Sequence, residues 1–435
     1  MPTTGVFPAA MKLPPLLLSA VLFLTPAGLS SVRAAAAAAS PESLGFSSER
    51  LQRLDAVIDD YTARQQIAGS VVYIARQGQI VQLKAHGQQN IAAGQPMRTD
   101  AIFRIASMSK AITAVAVMML YEEGRLLLHD PVSKYLPAFA HPLVAVAPPP
   151  GSPAGTKFTT VPAKKPITIL NLLTHTAGLT YGDGPAREAY EQAHLYNWYF
   201  ANHDETIGDA IDRLGTLPLN GQPGEAWQYG FSYDVLGRLV EVVSGQPLDR
   251  FFEERIFRPL QMTDSCFYLP PEKAGRLAPV YGFENGKLVL EETSDKSDYI
   301  HGPRKCFSGG AGVLSTASDY GRFLQMLLNG GELDGVRLLG PKTVELMHTN
   351  LVGDKYRPRN DTDAYGAGFW VNNDPGFYGE LGSEGAYGWG SAYYPQYLID
   401  PKEKLVAIFL TQLRPAGGVD LVSKFKVLTY QAIVK

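Results

Sequence analysis

Ser107-Met108-Ser109-Lys110, continued by AITAVAVMML over residues 111–120 and closed by Tyr121-Glu122-Glu123-Gly124, is the stretch around which the chain is organised. The run 111–120 carries no charge. A helix that is apolar on every side belongs inside a domain, so the stretch predicts a buried central helix that stops at Gly124. At its first turn the backbone N–H groups point outward without partners, and the macrodipole favours negative charge there. Ser107 stands at that turn, and Lys110, three residues on, shares its face. Taken alone, a serine before an apolar helix reads as an N-cap. S-x-x-K also recurs by chance, so a catalytic reading needs further residues.

The rest of the composition is that of an ordinary globular protein. The 435 residues, 45% of them hydrophobic, can bury a large core and are enough for two domains. With 39 basic and 42 acidic residues, a formal charge of -3 and no block of like charges, neither nucleic acid nor an anionic membrane is expected as the main partner. Cys266 and Cys306 are the only two cysteines. No disulfide framework can be built from them, and two buried free thiols are expected rather than a bond. Lys12, the apolar run PLLLSAVLFL at 15–24 and the small residues at 34–39 read as a signal peptide and spacer over residues 1–40. The expectation is a secreted or periplasmic protein with no stable membrane span, because that apolar run is too short to cross a bilayer.

Periodicity along the chain alternates between the two kinds of element. Leu51, Leu54, Val57, Ile58 and Tyr61 follow helical spacing behind Ser47-Ser48. Residues 69–76 and 79–86 form a hairpin around Gln77-Gly78. Prolines and glycines at 141–166 break every period and predict a surface excursion. Helical patterns follow at 167–173, 204–214, 232–243 and 248–257, and strand signals return after 275. Helices are then expected at 317–328, 341–348 and 420–433, and strands at 366–372, 392–399 and 404–411. Strands at both ends and helices between them imply one sheet assembled from the two termini. The expected division is a discontinuous α/β domain (41–125 and 300–435) and a mainly helical domain (126–299).

Two later stretches change the reading of Ser107. Pro223-Gly224-Glu225-Ala226-Trp227-Gln228-Tyr229 is a turn that delivers Tyr229 just ahead of a helix. Gly388-Trp389-Gly390-Ser391-Ala392 reads as a tight turn entering a strand. With Leu172-Leu173-Thr174-His175-Thr176-Ala177-Gly178-Leu179 and Ser308-Gly309-Gly310-Ala311-Gly312 they occur in a recognisable order. From about residue 45 to 430 the chain resembles the serine beta-lactamase and penicillin-recognising superfamily, and within it the family VIII carboxylesterases. The resemblance implies an α+β fold, a central antiparallel sheet flanked by helices plus an inserted all-helical domain, with the active site between them. It implies Ser107 as acyl-accepting nucleophile, Lys110 as its partner and Tyr229 as the other proton-transfer residue. Backbone N–H groups of Ser107 and Ala392, or Ser391 in its place, would form the oxyanion hole.

The chemistry can be argued independently. A serine hydroxyl is a weak nucleophile until a base takes its proton. A phenol ionises near pH 10, so serving as base at neutral pH requires about 4 kcal/mol, an amount that a lysine cation at about 4 Å supplies at an effective dielectric near 20. A neutral, buried lysine is the competing base, and the sequence leaves the choice between Lys110 and Tyr229 open.

Substrate class follows from departures from the family pattern. Lactam-hydrolysing relatives carry Tyr-x-Asn and Lys-Thr-Gly, where this chain has Tyr229-Gly230-Phe231 and Trp389-Gly390-Ser391. An amide-binding group has become apolar and a cation has become an indole, which favours uncharged esters over charged lactams. The expected substrates are small-molecule esters of short to medium acyl chains, with slow beta-lactam turnover from the retained nucleophile. The expected binding residues are Trp389, Gly390, Phe231, Tyr181, Tyr387 and Trp227, with Trp198, Tyr199 and Tyr393 as further aromatics. The esterase form of the Trp389 turn usually ends in two glycines, and Ser391 departs from it.

Competing readings are weaker. No G-x-S-x-G pentapeptide marks an α/β-hydrolase, and His175 fits a packing role better than a triad. The eight histidines contain no H-E-x-x-H, so neither metal nor cofactor is expected. A D-aminopeptidase or D-Ala-D-Ala carboxypeptidase, an acyltransferase and a non-catalytic ligand-binding relative are the alternatives.

Overall fold

The computed structural model describes residues 1–3, 5, 40–356 and 364–435; the signal-like segment before residue 40 lies outside them almost entirely. Strand Gly69–Arg76 is buried at every position because both faces of its sheet are covered. Val71, Tyr73 and Ala75 point into one core, Val72 and Ile74 into the other. The sheet has eight strands, in the order Ala364–Tyr365, Trp370–Val371, Tyr387–Gly390, Gln396–Asp400, Leu405–Leu410, Gly69–Arg76, Gln79–Asn90 and Gln95–Pro96. All its pairings are antiparallel. No described residue between 97 and 363 contributes a strand to it, so the sheet is indeed built from the two ends of the chain.

Helices Ser48–Ala63 and Leu421–Tyr430 cover one face. The other face packs on the central helix Ser109–Glu122 and on Ala317–Leu328, and Ser232–Ser244 lies against the central helix. Every residue from Ser109 to Leu120 is buried, and Gly124 follows at φ +69°, as the apolar run and its stop signal require.

Four expectations are corrected. Ser107 is not an N-cap: it lies in a single 3-10 turn, Ala106–Met108, and the α-helix begins at Ser109 without a side-chain cap. The residue before it, Ala106, takes φ +36°, a strained conformation for a non-glycine residue. Tyr387–Gly390 is a strand, with Trp389 opposite Tyr397 and Gly390 opposite Gln396, and the turn comes after it. The excursion 141–166 contains a hairpin, Leu143–Val146 with Thr159–Pro162. The helical pattern at 248–257 divides into Leu248–Phe252 and a π-turn, Glu253–Phe257.

Cys266 and Cys306 are free thiols. Burial pushes Cys266 up to about 12 and raises Cys306 as well. Among the described residues no helix is long and apolar enough to cross a membrane, and no cluster of three or more His, Cys, Asp or Glu is placed to hold a metal ion.

Candidate active site

Ser107 Oγ lies between two partners. The Tyr229 hydroxyl donates to it at 2.8 Å and Lys110 Nζ at 3.2 Å. Lys110 has no solvent exposure, and its remaining N–H groups go to the Tyr181 hydroxyl at 3.1 Å and the Gly310 carbonyl at 2.8 Å. An ammonium has three donors, and these three acceptors match them one for one. The cation also lies 4.6 Å from the Tyr229 ring centroid, within cation–π range.

Tyr229 is positioned by the segment after helix Ile169–Leu173. Gln228 N–H donates to the His175 carbonyl and Gly224 N–H to the Thr176 carbonyl, both at 2.7 Å. Gly230 can only be glycine, because a Cβ there would sit 2.4 Å from the backbone of Thr180. The ring is enclosed by His175 at 4.6 Å, and by Trp227, Tyr181 and Trp389 at 5.7 Å each. Trp389 Nε1 donates to the Tyr229 oxygen at 3.3 Å, a bond that favours negative charge on that oxygen. Burial and the neighbouring Tyr229 and Asp234 hold Tyr181 well above the ordinary tyrosine range, so it stays a neutral phenol.

These groups sit at the base of an open cleft of about 550 Å³. Its walls are Tyr181, Trp198, Tyr356, Trp370, Trp389, Gly390, Ser391, Ala392 and Gln396, none of them charged. The arrangement places a serine hydroxyl against a phenol oxygen and a buried amine, at an open cleft whose described wall residues are uncharged.

The beta-lactamase family profile matches residues 54–427. The chain belongs to the beta-lactamase family. Within it, this member is 30% identical to esterase EstB of Burkholderia gladioli over 84% of the chain and 91% of that protein. It is also 30% identical to lovastatin esterase of Penicillium rubens, over 83% and 92%. Among solved structures, EstCE1, described as a hydrolase with promiscuous acyltransferase activity, superposes with a TM-score of 0.76 at 25% identity, covering 90% of this chain and 99% of that one.

The family member's geometry brings Ser107, Lys110, Tyr229, Tyr181, Trp389, Gly390, Ser391, Ala392 and Trp198 together in or beside one cleft. It does not bring Phe231, Tyr387 or Trp227 to the cleft wall. Phe231 precedes the Ser232–Ser244 helix and turns inward, fully buried and edge-on to Tyr181 at 4.9 Å. Tyr387 lies deeper on the same strand as Trp389, stacked on His348 at 4.5 Å. Trp227 stacks behind Tyr229. Tyr199 and Tyr393 also stay off the wall, Tyr393 edge-on to Trp198 at 5.6 Å. Tyr356, Trp370 and Gln396 are wall residues that sequence reasoning missed; Trp370 and Gln396 fall inside the expected strands 366–372 and 392–399, but no motif marked them as facing the cleft.

His175 is fully buried among Tyr229, Tyr233, Trp227 and Tyr365, and neither ring nitrogen has a hydrogen-bond partner among the described residues. Burial, and then the Lys110 cation, hold it well below the ordinary imidazole range. Below about pH 6.5 the unfolded chain binds a proton there that the folded chain refuses. Folding stability is therefore expected to fall as pH drops below about 6.5, by up to about 1.4 kcal/mol per pH unit, until the folded imidazole protonates. Urea midpoints at pH 7 and 5 should show this slope in wild type and a shallower one in His175→Phe; equal slopes would remove His175 as its source.

Proposed function

We propose that this protein is a serine carboxylesterase acting on uncharged small-molecule esters through an acyl-enzyme on Ser107. The observation that carries the reading is a serine hydroxyl 2.8 Å from a tyrosine oxygen and 3.2 Å from a buried lysine, at the base of a cleft whose described wall residues are all uncharged. In the reactive state Tyr229 has lost its phenol proton to solvent and stands as a phenolate beside the Lys110 ammonium; as Oγ attacks the ester carbonyl carbon, that phenolate takes the Ser107 proton. The oxyanion is held by the N–H groups of Ser107 and Ala392. Ser391 supports Ala392 in that role, since its hydroxyl and carbonyl close the turn by accepting from Tyr393 and Tyr394 N–H. The C–O bond then breaks, Tyr229 returns the proton to the departing alcohol, and water repeats the sequence to release the acid.

Two relatives, the esterase of Burkholderia gladioli and the lovastatin esterase of Penicillium rubens, match most of the chain and support the ester class. Among the described residues the cleft wall carries no cation, and a lactam carboxylate finds no partner on them. A panel of p-nitrophenyl esters from acetate to decanoate, run beside nitrocefin, should give kcat/KM for the best ester at least about 1,000-fold above nitrocefin. Quenched reactions should carry the acyl mass on Ser107. A nitrocefin rate equal to or above the ester rates would reverse the substrate assignment. A faster loss of acyl mass on adding butanol, with butyl ester formed, would mark acyl transfer to alcohols as a second outlet of the same intermediate.

A further inference from the structure

Behind Lys110 lies a carboxylate that the steps above do not use. Asp234, on the first turn of helix Ser232–Ser244, is 1% exposed. Its Oδ1 accepts from Ser308 Oγ at 2.5 Å and from Gly310 N–H at 3.1 Å, while Oδ2 has no hydrogen-bond partner among the described residues. The next carbonyl, that of Gly310, is the one that accepts from Lys110 Nζ at 2.8 Å. Ser308 closes the turn, its hydroxyl accepting from Ala311 N–H at 3.0 Å and its carbonyl from Gly312 N–H at 2.9 Å. A Cβ at Gly310 would come within 2.6 Å of Asp234 Oδ2, so only glycine lets the turn approach so near the carboxylate.

A buried carboxylate is costly unless a cation and hydrogen bonds compensate it. Burial pushes the Asp234 carboxyl up, and the Ser308 hydroxyl, Lys110 and Gly310 N–H act against it. The cation is the one that touches Ser107. We propose that Asp234 is a positioning residue for Lys110. Through the Ser308–Gly310 turn it fixes the carbonyl that holds the ammonium, and it supplies the buried negative charge that the ammonium faces. The inference rests on the serine-esterase reading above. It also explains Ser308-Gly309-Gly310, a motif with no ligand-binding role in that reading.

The test is Asp234→Asn, which keeps the shape and removes the charge, assayed with p-nitrophenyl butyrate and titrated to end point with a p-nitrophenyl phosphonate that labels Ser107. The expected result is a kcat per labelled site lowered about 30-fold or more, KM within about twofold, and full labelling. A purely structural role would lower the labelled fraction and leave kcat per labelled site at the wild-type value; that result overturns the proposal. Ser308→Ala, which removes one anchor of the turn, should lower kcat per site about fivefold with full labelling. An unchanged per-site kcat in Ser308→Ala overturns the proposal even where Asp234→Asn fails to fold. Failure of wild type to take label on Ser107 would overturn the serine reading itself and this inference with it.

Discussion

Ser107→Ala is expected to abolish ester turnover, with kcat lower by at least about 10,000-fold, equivalent to about 5.5 kcal/mol of transition-state stabilisation. Nothing else among the described residues of the cleft wall is placed to replace it: the other hydroxyls there belong to Tyr181, Tyr229, Tyr356 and Ser391. Tyr181 is bound by Lys110, and the Ser391 hydroxyl accepts from Tyr393 N–H. The substitution should leave the fold intact. Ser107 does not cap the central helix, it is partly exposed in the cleft, and the Lys110 ammonium keeps Tyr181 and Gly310 as acceptors. Thermal midpoints within about 3 °C of wild type are the expected control. The decisive readouts are p-nitrophenyl butyrate hydrolysis and the acyl mass on the quenched protein. A folded Ser107→Ala protein that hydrolysed esters at the wild-type rate would place the nucleophile elsewhere.

The same physical signals that made the fold legible in the sequence explain what was missed. Ten residues without a charge identify a buried helix, and strand patterns at both ends of the chain identify one sheet assembled from the two termini. Both are properties of long segments, and both survive in the structure. Ser107, Lys110 and Tyr229 were legible only because three separated motifs occur in order. Side-chain direction was not legible where the backbone leaves regular structure. Phe231 sits two residues after Tyr229, yet the helix that starts at Ser232 turns it into the core. Tyr387 and Trp389 share a strand face, but only the outer one reaches the cleft. Asp234 resembled any first-turn acidic residue, which is ordinarily a solvent-facing complement to the helix dipole. Only the packing of the Ser308–Gly312 turn against it shows that it is buried. Trp389 was assigned to substrate on motif position, and the structure adds a bond from its indole N–H to the Tyr229 oxygen.

Tyr229→Phe should lower kcat by about 1,000-fold with KM within about threefold, and it decides which group takes the Ser107 proton. The substitution removes one oxygen and leaves the ring, so the packing of His175, Trp227 and Trp389 around it is retained. Two competing mechanisms predict different losses. If a neutral Lys110 were the base, Tyr229 would contribute a single hydrogen bond to Ser107, and its loss would cost about tenfold. If the Tyr229 oxygen is the base, general base catalysis disappears with it, at about 100- to 10,000-fold. The geometry favours the second. Lys110 Nζ has three oxygen neighbours at 2.8, 3.1 and 3.2 Å, and an ammonium can donate to all three at once. The Tyr229 oxygen receives the Trp389 N–H and lies 2.8 Å from Ser107 Oγ, so a negative charge that forms there is met by a donor and by the cation 4.6 Å from the ring. Trp389→Phe, which removes that donor, should then cost about tenfold in kcat on the same substrate. A Tyr229→Phe loss no larger than the Trp389→Phe loss would transfer the proton acceptor to Lys110.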